Sequence, residues 1–354
     1  MSDERENWLE EAPEALPEAT PEADAQPAAR VADPVLIATP RLDVPTLLLA
    51  IGIYGAFTAA TWFYHELAWW LVLPLGAIIV CLQSSLQHEA IHGYPTRLAW
   101  LNYLIVAPAL WLWLPYGINR DFHLRHHVNE HLTDPDLDPE SNYVSPEAWA
   151  RMSPAHRTLR QAMATLLGRI VIGPVYYAAL SLRDLARALR RHDGVVLKHW
   201  ALHGIMLAGL GWWIVGACDI SVAEYLLLFV WPGTGLALIR SYAEHRSAPD
   251  VAARSATVEA GRIMSFLYLY NNLHALHHAQ PTLAWHRRAR RYRVMRNKIL
   301  GESRYHLIKG YGALFRDYLL DAKEPIVHPA KARSGLRTAS TAGSSASDAL
   351  YSAA

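Results

Sequence analysis

Two long stretches without a charged residue open the apolar part of the chain. Residues 44–64 and 67–87 are each long enough to cross hydrocarbon as a helix. Only His65 and Glu66 separate them, so the pattern predicts a tight helical hairpin. Residues 200–218 form a third such run, and residues 225–239, extended by Val222 and Ala223, a fourth. Residues 219–224 are the turn of that second hairpin. Residues 98–119 are also uncharged, but Pro108, Pro115 and Gly117 interrupt them and Trp100, Trp111, Trp113 and Tyr116 crowd them. We expect this run to enter the membrane and return, or to lie at its interface. Residues 166–182 contain Arg169 and Pro174 and read as interfacial.

The polar segments supply the orientation. Arg183, Arg187, Arg190, Arg191 and Lys198 cluster in one, and Arg287, Arg288, Arg290, Arg291, Arg293, Arg296 and Lys298 in another, whereas neither hairpin turn holds Lys or Arg. The positive-inside rule places the basic segments and both termini in the cytoplasm. The expected fold is an all-α integral membrane protein. Four transmembrane helices form two hairpins, joined by interfacial or re-entrant helices, under a cytoplasmic helical cap. Residues 1–43, rich in Glu, Ala and Pro, read as a disordered acidic tail, residues 44–322 as one domain, and residues 323–354 as a disordered Ser/Ala-rich tail. No basic segment followed by an apolar one opens the chain, so a cleaved signal peptide is not expected.

Composition agrees. Apolar residues make up 52% and charged residues 18%, a low charge content for a soluble protein, and thirteen Trp with seventeen Tyr suit interfacial belts. The net charge of +1 names no partner, and the basic runs lack a nucleic-acid-binding motif around them, so no nucleic acid is expected. Cys81 and Cys218 are too few for a disulfide framework or a thiolate metal site.

The chemistry lies in the histidines. HEAIH (His88, His92), HLRHH (His123, His126, His127) and HALHH (His274, His277, His278) place imidazoles at helical offsets of three and four, so that each string aims them at one point. Two HxxHH strings arise by chance in about one such chain in a thousand. Their use is to hold a transition metal. The donor set is nitrogen-rich and sulfur-free, which suits iron, copper, zinc or nickel. Eight imidazoles exceed the needs of one zinc but fit two metals with about four each and an open position. Box one follows the second apolar run directly and box three follows the fourth. An even number of crossings therefore puts both on the cytoplasmic side, and box two joins them only if residues 98–119 do not span.

The three boxes, the apolar hairpin between the second and third, and the strings NNLHALHHAQPTLAW and HHVNEHLTDPDLDPES resemble the membrane fatty-acid desaturase/hydroxylase superfamily over roughly residues 44–300, in particular its bacterial desaturase-like members. The resemblance implies a non-haem di-iron centre ligated by His88, His92, His123, His126, His127, His274, His277 and His278. It also implies O2 as co-substrate, an acyl chain in an apolar tunnel, and a ninth ligand at His245 in RSYAEHR. Which iron each histidine serves is not assignable from the sequence. His131 shares a helical offset with His127, but the family pattern does not require it. Asn271 and Asn272 precede box three as candidates to hold a metal-bound water or orient an imidazole. Of the acidic stretch after box two (Asp134, Asp136, Asp138, Glu140), Asp134 and Asp138 are candidates to accept from ligating imidazoles. Beyond the metal ligands no catalytic residue is expected.

No haem-attachment motif, iron–sulfur cysteine set or dinucleotide fingerprint is present, so the two electrons for O2 must come from a separate protein, of ferredoxin or cytochrome type by resemblance. The substrate implied is a fatty acyl lipid or a free fatty acid, and the favoured outcome a new double bond. The same site also admits hydroxylation or ketone formation, oxidative decarboxylation to a terminal alkene, or desaturation of an amino-acid-derived substrate. The alternative from another class is a membrane zinc hydrolase, which needs three histidines and a water position.

Overall fold

The computed structural model describes residues 41–329. Four of its helices are long and apolar enough to cross a membrane: Val44–Trp62, Trp69–Ile91, Gly194–Ala217 and Val222–Glu244. They form the two expected hairpins. A 3-10 turn, Tyr64–Glu66, closes the first. In the second, Ser221 caps the fourth apolar helix by accepting from the Glu224 amide at 3.2 Å, while Glu224 accepts from the Ser221 amide at 2.9 Å.

The second and fourth apolar helices pack together at the centre, and the first packs on the second. The central pair comes close because small residues face the contact. A Cβ added at Gly233 would sit 2.5 Å from Val80 Cβ, and one at Gly76 would sit 2.6 Å from the Leu228 carbonyl oxygen. Phe57 fills the space beside them, edge-on to Tyr225 and Phe229 at 6.3 and 6.4 Å. The third apolar helix is peripheral, with Trp212 70% exposed. Apart from one two-stranded parallel pair, Thr257–Val258 with Leu307–Ile308, the described structure is helical.

Residues 98–119 do not span. Helix Ala99–Val106 is eight residues, about 12 Å long, and irregular chain follows up to helix Tyr116–His126. Side chains satisfy the carbonyls this exposes. Gln83 and Gln87 donate to Val106 O at 3.3 and 2.9 Å, Gln83 to Pro108 O at 3.0 Å, and Tyr225 to Leu110 O at 2.8 Å. His203 Nε2 lies 2.8 Å from Leu112 O. Non-helical backbone is tolerated at membrane depth only under such cover. Helices Leu166–Val171 and Gly173–Arg191 occupy the segment read as interfacial.

Helix ends differ from the apolar runs. The second helix continues past Gln87 to Ile91, because its polar last turn is buried in protein. The third begins at Gly194, where Asp193 accepts from the Val195 and Val196 amides.

The tail assignments for residues 1–40 and 330–354 lie outside the described residues. The boundary at 322 falls too early, because residues 323–329 are packed. Lys323 Nζ donates to Tyr242 O and His245 O at 2.7 and 2.5 Å, and Glu324 accepts from Tyr143 and Ser247. Val144 and the 326–328 backbone exchange hydrogen bonds of 3.0 Å. No compositional signal marks these contacts, which depend on the fold.

Candidate metal centre

Three helix C-termini meet at one place. His88 lies in the last turn of the second apolar helix and His92 caps it. There Gly93, at φ +92°, takes the left-handed conformation that lets the chain turn away. His123 and His126 lie in the last turn of Tyr116–His126, with His127 as its cap, and His245 caps the fourth apolar helix. The negative ends of three helix dipoles therefore point at the same volume, which favours a cation. Box three arrives on the short helix His274–Ala279. Leu269 and Tyr270, at φ +47° and +56°, make the strained turn before it.

The imidazoles divide into two groups, each with its ligand atoms within 4.8 Å of one another: His88, His92, His123 and His277, and His126, His245, His274 and His278. His127 stands between them. Its Nε2 lies 3.0 Å from those of His123 and His277, and its ring stacks on His278 at 4.5 Å. The second and third boxes each divide between groups, so the order of residues along the chain does not report the grouping. His131 lies in a 3-10 turn after the second box and belongs to neither group.

The outward-facing nitrogens fix the tautomers. His126 Nδ1 donates to Asp138 at 2.9 and 3.0 Å, and His123 Nδ1 to Glu140 at 3.1 Å. His245 Nδ1 donates to Arg254 O at 3.3 Å, and His274 Nδ1 faces Glu244 Oε1 at 3.1 Å. A ring whose proton is on Nδ1 presents a lone pair at Nε2. Yet His126 and His245 bring these atoms to 2.9 Å, and His245 and His274 to 2.8 Å. Lone pairs at that distance need a proton or a metal ion between them. Two nitrogens each about 2.1 Å from one ion and at right angles are about 3.0 Å apart, and the Nε2 separations in and around both groups are 2.8–3.1 Å. The residues fit a pair of transition-metal ions.

Burial and neighbouring imidazoles hold His92, His127, His245, His277 and His278 well below the usual histidine range, which keeps them neutral as ligands must be. Burial also opposes charge on His126, but Glu140 and Asp138 outweigh it and hold its pKa up at about 9. What favours a proton there favours any cation. Burial would raise Glu140, but His123 and His126 bring it down to about 2.

Asp138 is buried against His126, where sequence reasoning had placed a candidate. Asp134 accepts from the Asp136 and Leu137 amides at 2.9 and 3.3 Å and so shapes the turn instead. Asn271 donates to Glu244 at 2.9 Å and stands 3.4 Å from His88 Nε2. Asn272 donates to Val258 O at 2.7 Å, away from the imidazoles.

The model of the fatty acid desaturase family matches residues 64–310, more than half of the chain. The chain belongs to the fatty acid desaturase family. Comparison with curated proteins finds no match. The chain is thus an oxidoreductase of the membrane desaturase/hydroxylase type, a family whose members use non-haem iron.

Four side chains near the imidazoles were not selected from the sequence. Glu244 serves His274, and Glu140 serves His123 from the stretch in which only its neighbours had been selected. Glu89 makes a fully buried 2.7 Å ion pair with Arg288, from the basic helix Trp285–Glu302. Glu89 and Glu244 sit beside box or candidate histidines in HEAIH and AEHR, the one signal available. Arg288 was hidden among exposed arginines. A cavity of about 370 Å³ reaches His88, His123, His126 and His274 and is walled by Trp111, Trp113, Leu114, Trp200 and Leu238.

Proposed function

We propose that this protein uses two iron ions and O2 to introduce a double bond into a fatty acyl chain. The observation that carries the reading is the convergence of nine imidazoles, in two groups of four with His127 between, at the inner end of an apolar cavity. Iron, when bound, supplies O2 activation and removal of hydrogen from unactivated carbons. The balance is one –CH2–CH2– unit, O2, two electrons and two protons giving –CH=CH– and two waters.

The chain's own residues do the rest. His88, His92, His123 and His277 would hold one ion and His126, His245, His274 and His278 the other, with the Nε2 of His127 beside the first set. Asp138, Glu140 and Glu244 orient three of these rings and raise their basicity. Trp111, Trp113 and Leu114 give the alkyl chain an apolar wall that excludes water. Asn271, between Glu244 and His88, positions a polar ligand at the first group.

The basic segments support a multi-pass membrane protein whose metal centre and termini face the cytoplasm. Electrons come from a ferredoxin- or cytochrome-type protein. The basic helix suits its docking, since Arg287, Arg290, Arg291 and Arg293 are exposed while Arg288 reaches in to Glu89, next to His88. Reversing charge at Arg290 and Arg293 is expected to slow reduction, and an unchanged rate would remove this face from consideration.

Hydroxylation, ketone formation, decarboxylation and desaturation of an amino-acid-derived chain use the same site and differ in where the C–H bonds sit. A zinc hydrolase needs three of the nine histidines and leaves the second group without a role. Mass spectrometry of lipids and free fatty acids from cells with and without the protein separates these outcomes. Loss of two hydrogens is expected, whereas a gain of oxygen or a shortened alkene would replace desaturation by one of the other reactions.

A further inference from the structure

Two guanidinium groups beside the metal centre lack an ion-paired carboxylate. Among the described residues, Arg160 and Arg169 have no carboxylate within ion-pair distance. Arg169 is 7% exposed and donates to Asn142 Oδ1 at 2.8 Å, Tyr177 OH at 2.6 Å and Met163 O at 3.3 Å, all neutral oxygens. Arg160 donates to Asn142 O and, at 3.3 Å, to Tyr176 OH, and its buried Nε–H has no partner. The three acids that line the same recess are committed to other cations: Asp138 to His126, Glu140 to His123, and Glu324 to Lys323 at 3.5 Å. Two cations held this way are costly unless an anion joins them.

Their position says which anion. Arg160 lines the 370 Å³ cavity and also a polar recess of about 60 Å³ that it shares with Arg169. The recess admits on the order of four water-sized groups. That space matches a carboxylate and is small for a glycerol phosphate. Tyr177 joins the two regions, its ring stacked with Trp113 at 6.1 Å and its hydroxyl on Arg169.

We propose that Arg160 and Arg169 bind the carboxylate of an unesterified fatty acid whose chain lies along the tryptophan-walled cavity. This rests on the reading of the site as an oxidase of acyl chains and narrows its substrate to the free acid.

The test measures binding to the iron-loaded, full-length protein in detergent, read as tryptophan quenching by a terminally brominated dodecanoic acid. The competitors are dodecanoic acid, its methyl ester and a phosphatidic acid of the same chains. A charge-assisted hydrogen bond is worth about 1.5–3 kcal/mol, so the acid should bind roughly tenfold or more tightly than the ester. Arg160→Gln should remove that preference and leave ester binding and iron content unchanged, and Arg160→Lys should restore part of it. Three results overturn the proposal: equal affinity for acid and ester in the unaltered protein, equal weakening of both by Arg160→Gln, or an Arg160-dependent preference for phosphatidic acid. The acid–ester comparison needs no variant, so a misfolded Arg160→Gln does not protect the idea. Iron content separates the two claims. Protein that takes up no iron when supplied with it, yet binds the acid through Arg160, defeats the oxidase reading alone. Iron-loaded protein that oxidises esterified chains and ignores the acid defeats the anion site alone.

Discussion

At the scale of single residues, the centre depends on groups that never touch a metal. Asp138 fixes the proton of His126 on the outward nitrogen and is itself held by the Thr133 amide at 2.7 Å. Loss of such an outer partner costs about 10–100-fold in metal affinity. Asp138→Asn is therefore expected to lose iron to a competing chelator at a correspondingly lower chelator concentration, while Asp134→Asn, at the turn, keeps near-normal retention. Equal retention in both variants would remove the orienting role. His277 belongs to the first group, with its ring 4.6 Å from His88 and 4.7 Å from His92. His277→Ala should abolish turnover and bring the iron content from two per chain towards one, as read by elemental analysis. Retained turnover would contradict its ligand role.

At the scale of elements, two contacts set how the boxes meet. Gly76 lets the second apolar helix press against the fourth. In Gly76→Ala the new methyl would stand 2.6 Å from a backbone oxygen and 2.8 Å from the Phe229 ring, so a helix must move. Overpacking of this kind costs about 1–3 kcal/mol. Thermal unfolding in detergent should show the loss for Gly76→Ala and none for Gly52→Ala, which meets nothing within 4 Å. The other contact is the Arg288–Glu89 pair, which clamps the basic helix to box one. Arg288→Met leaves Glu89 buried and unpaired, a change that costs about 3–5 kcal/mol, and adding Glu89→Gln should recover part of the loss. Additive losses in the double variant would show that the two side chains act separately.

At the scale of the molecule, spans and boxes were legible because each obeys a local rule. Uncharged runs of about twenty residues must be helices in hydrocarbon, and offsets of three and four put histidines on one face. The turn-back of residues 98–119 was legible from Pro108 and Pro115. The donors that make it stable, Gln83, Gln87, Tyr225 and His203, were not, since they come from three other segments. Division of the boxes between two groups was hidden for the same reason: His123 and His126, three residues apart, face different partners once the helices have packed. Arg288 and Arg160 show the limit most plainly. Composition gives an arginine a charge, but only packing decides whether it meets solvent, a carboxylate or a polar recess.

The proposed ions also bear on the stability of the whole fold. Nine convergent imidazoles and three helix C-termini favour the folded chain when the centre is filled, so removing the metal with a chelator should lower the unfolding temperature, and re-adding iron should restore it. The most direct measurement is the metal content of purified, active protein. Two iron ions and no zinc per chain are predicted. Active protein with zinc in their place, or with no iron, would contradict the account.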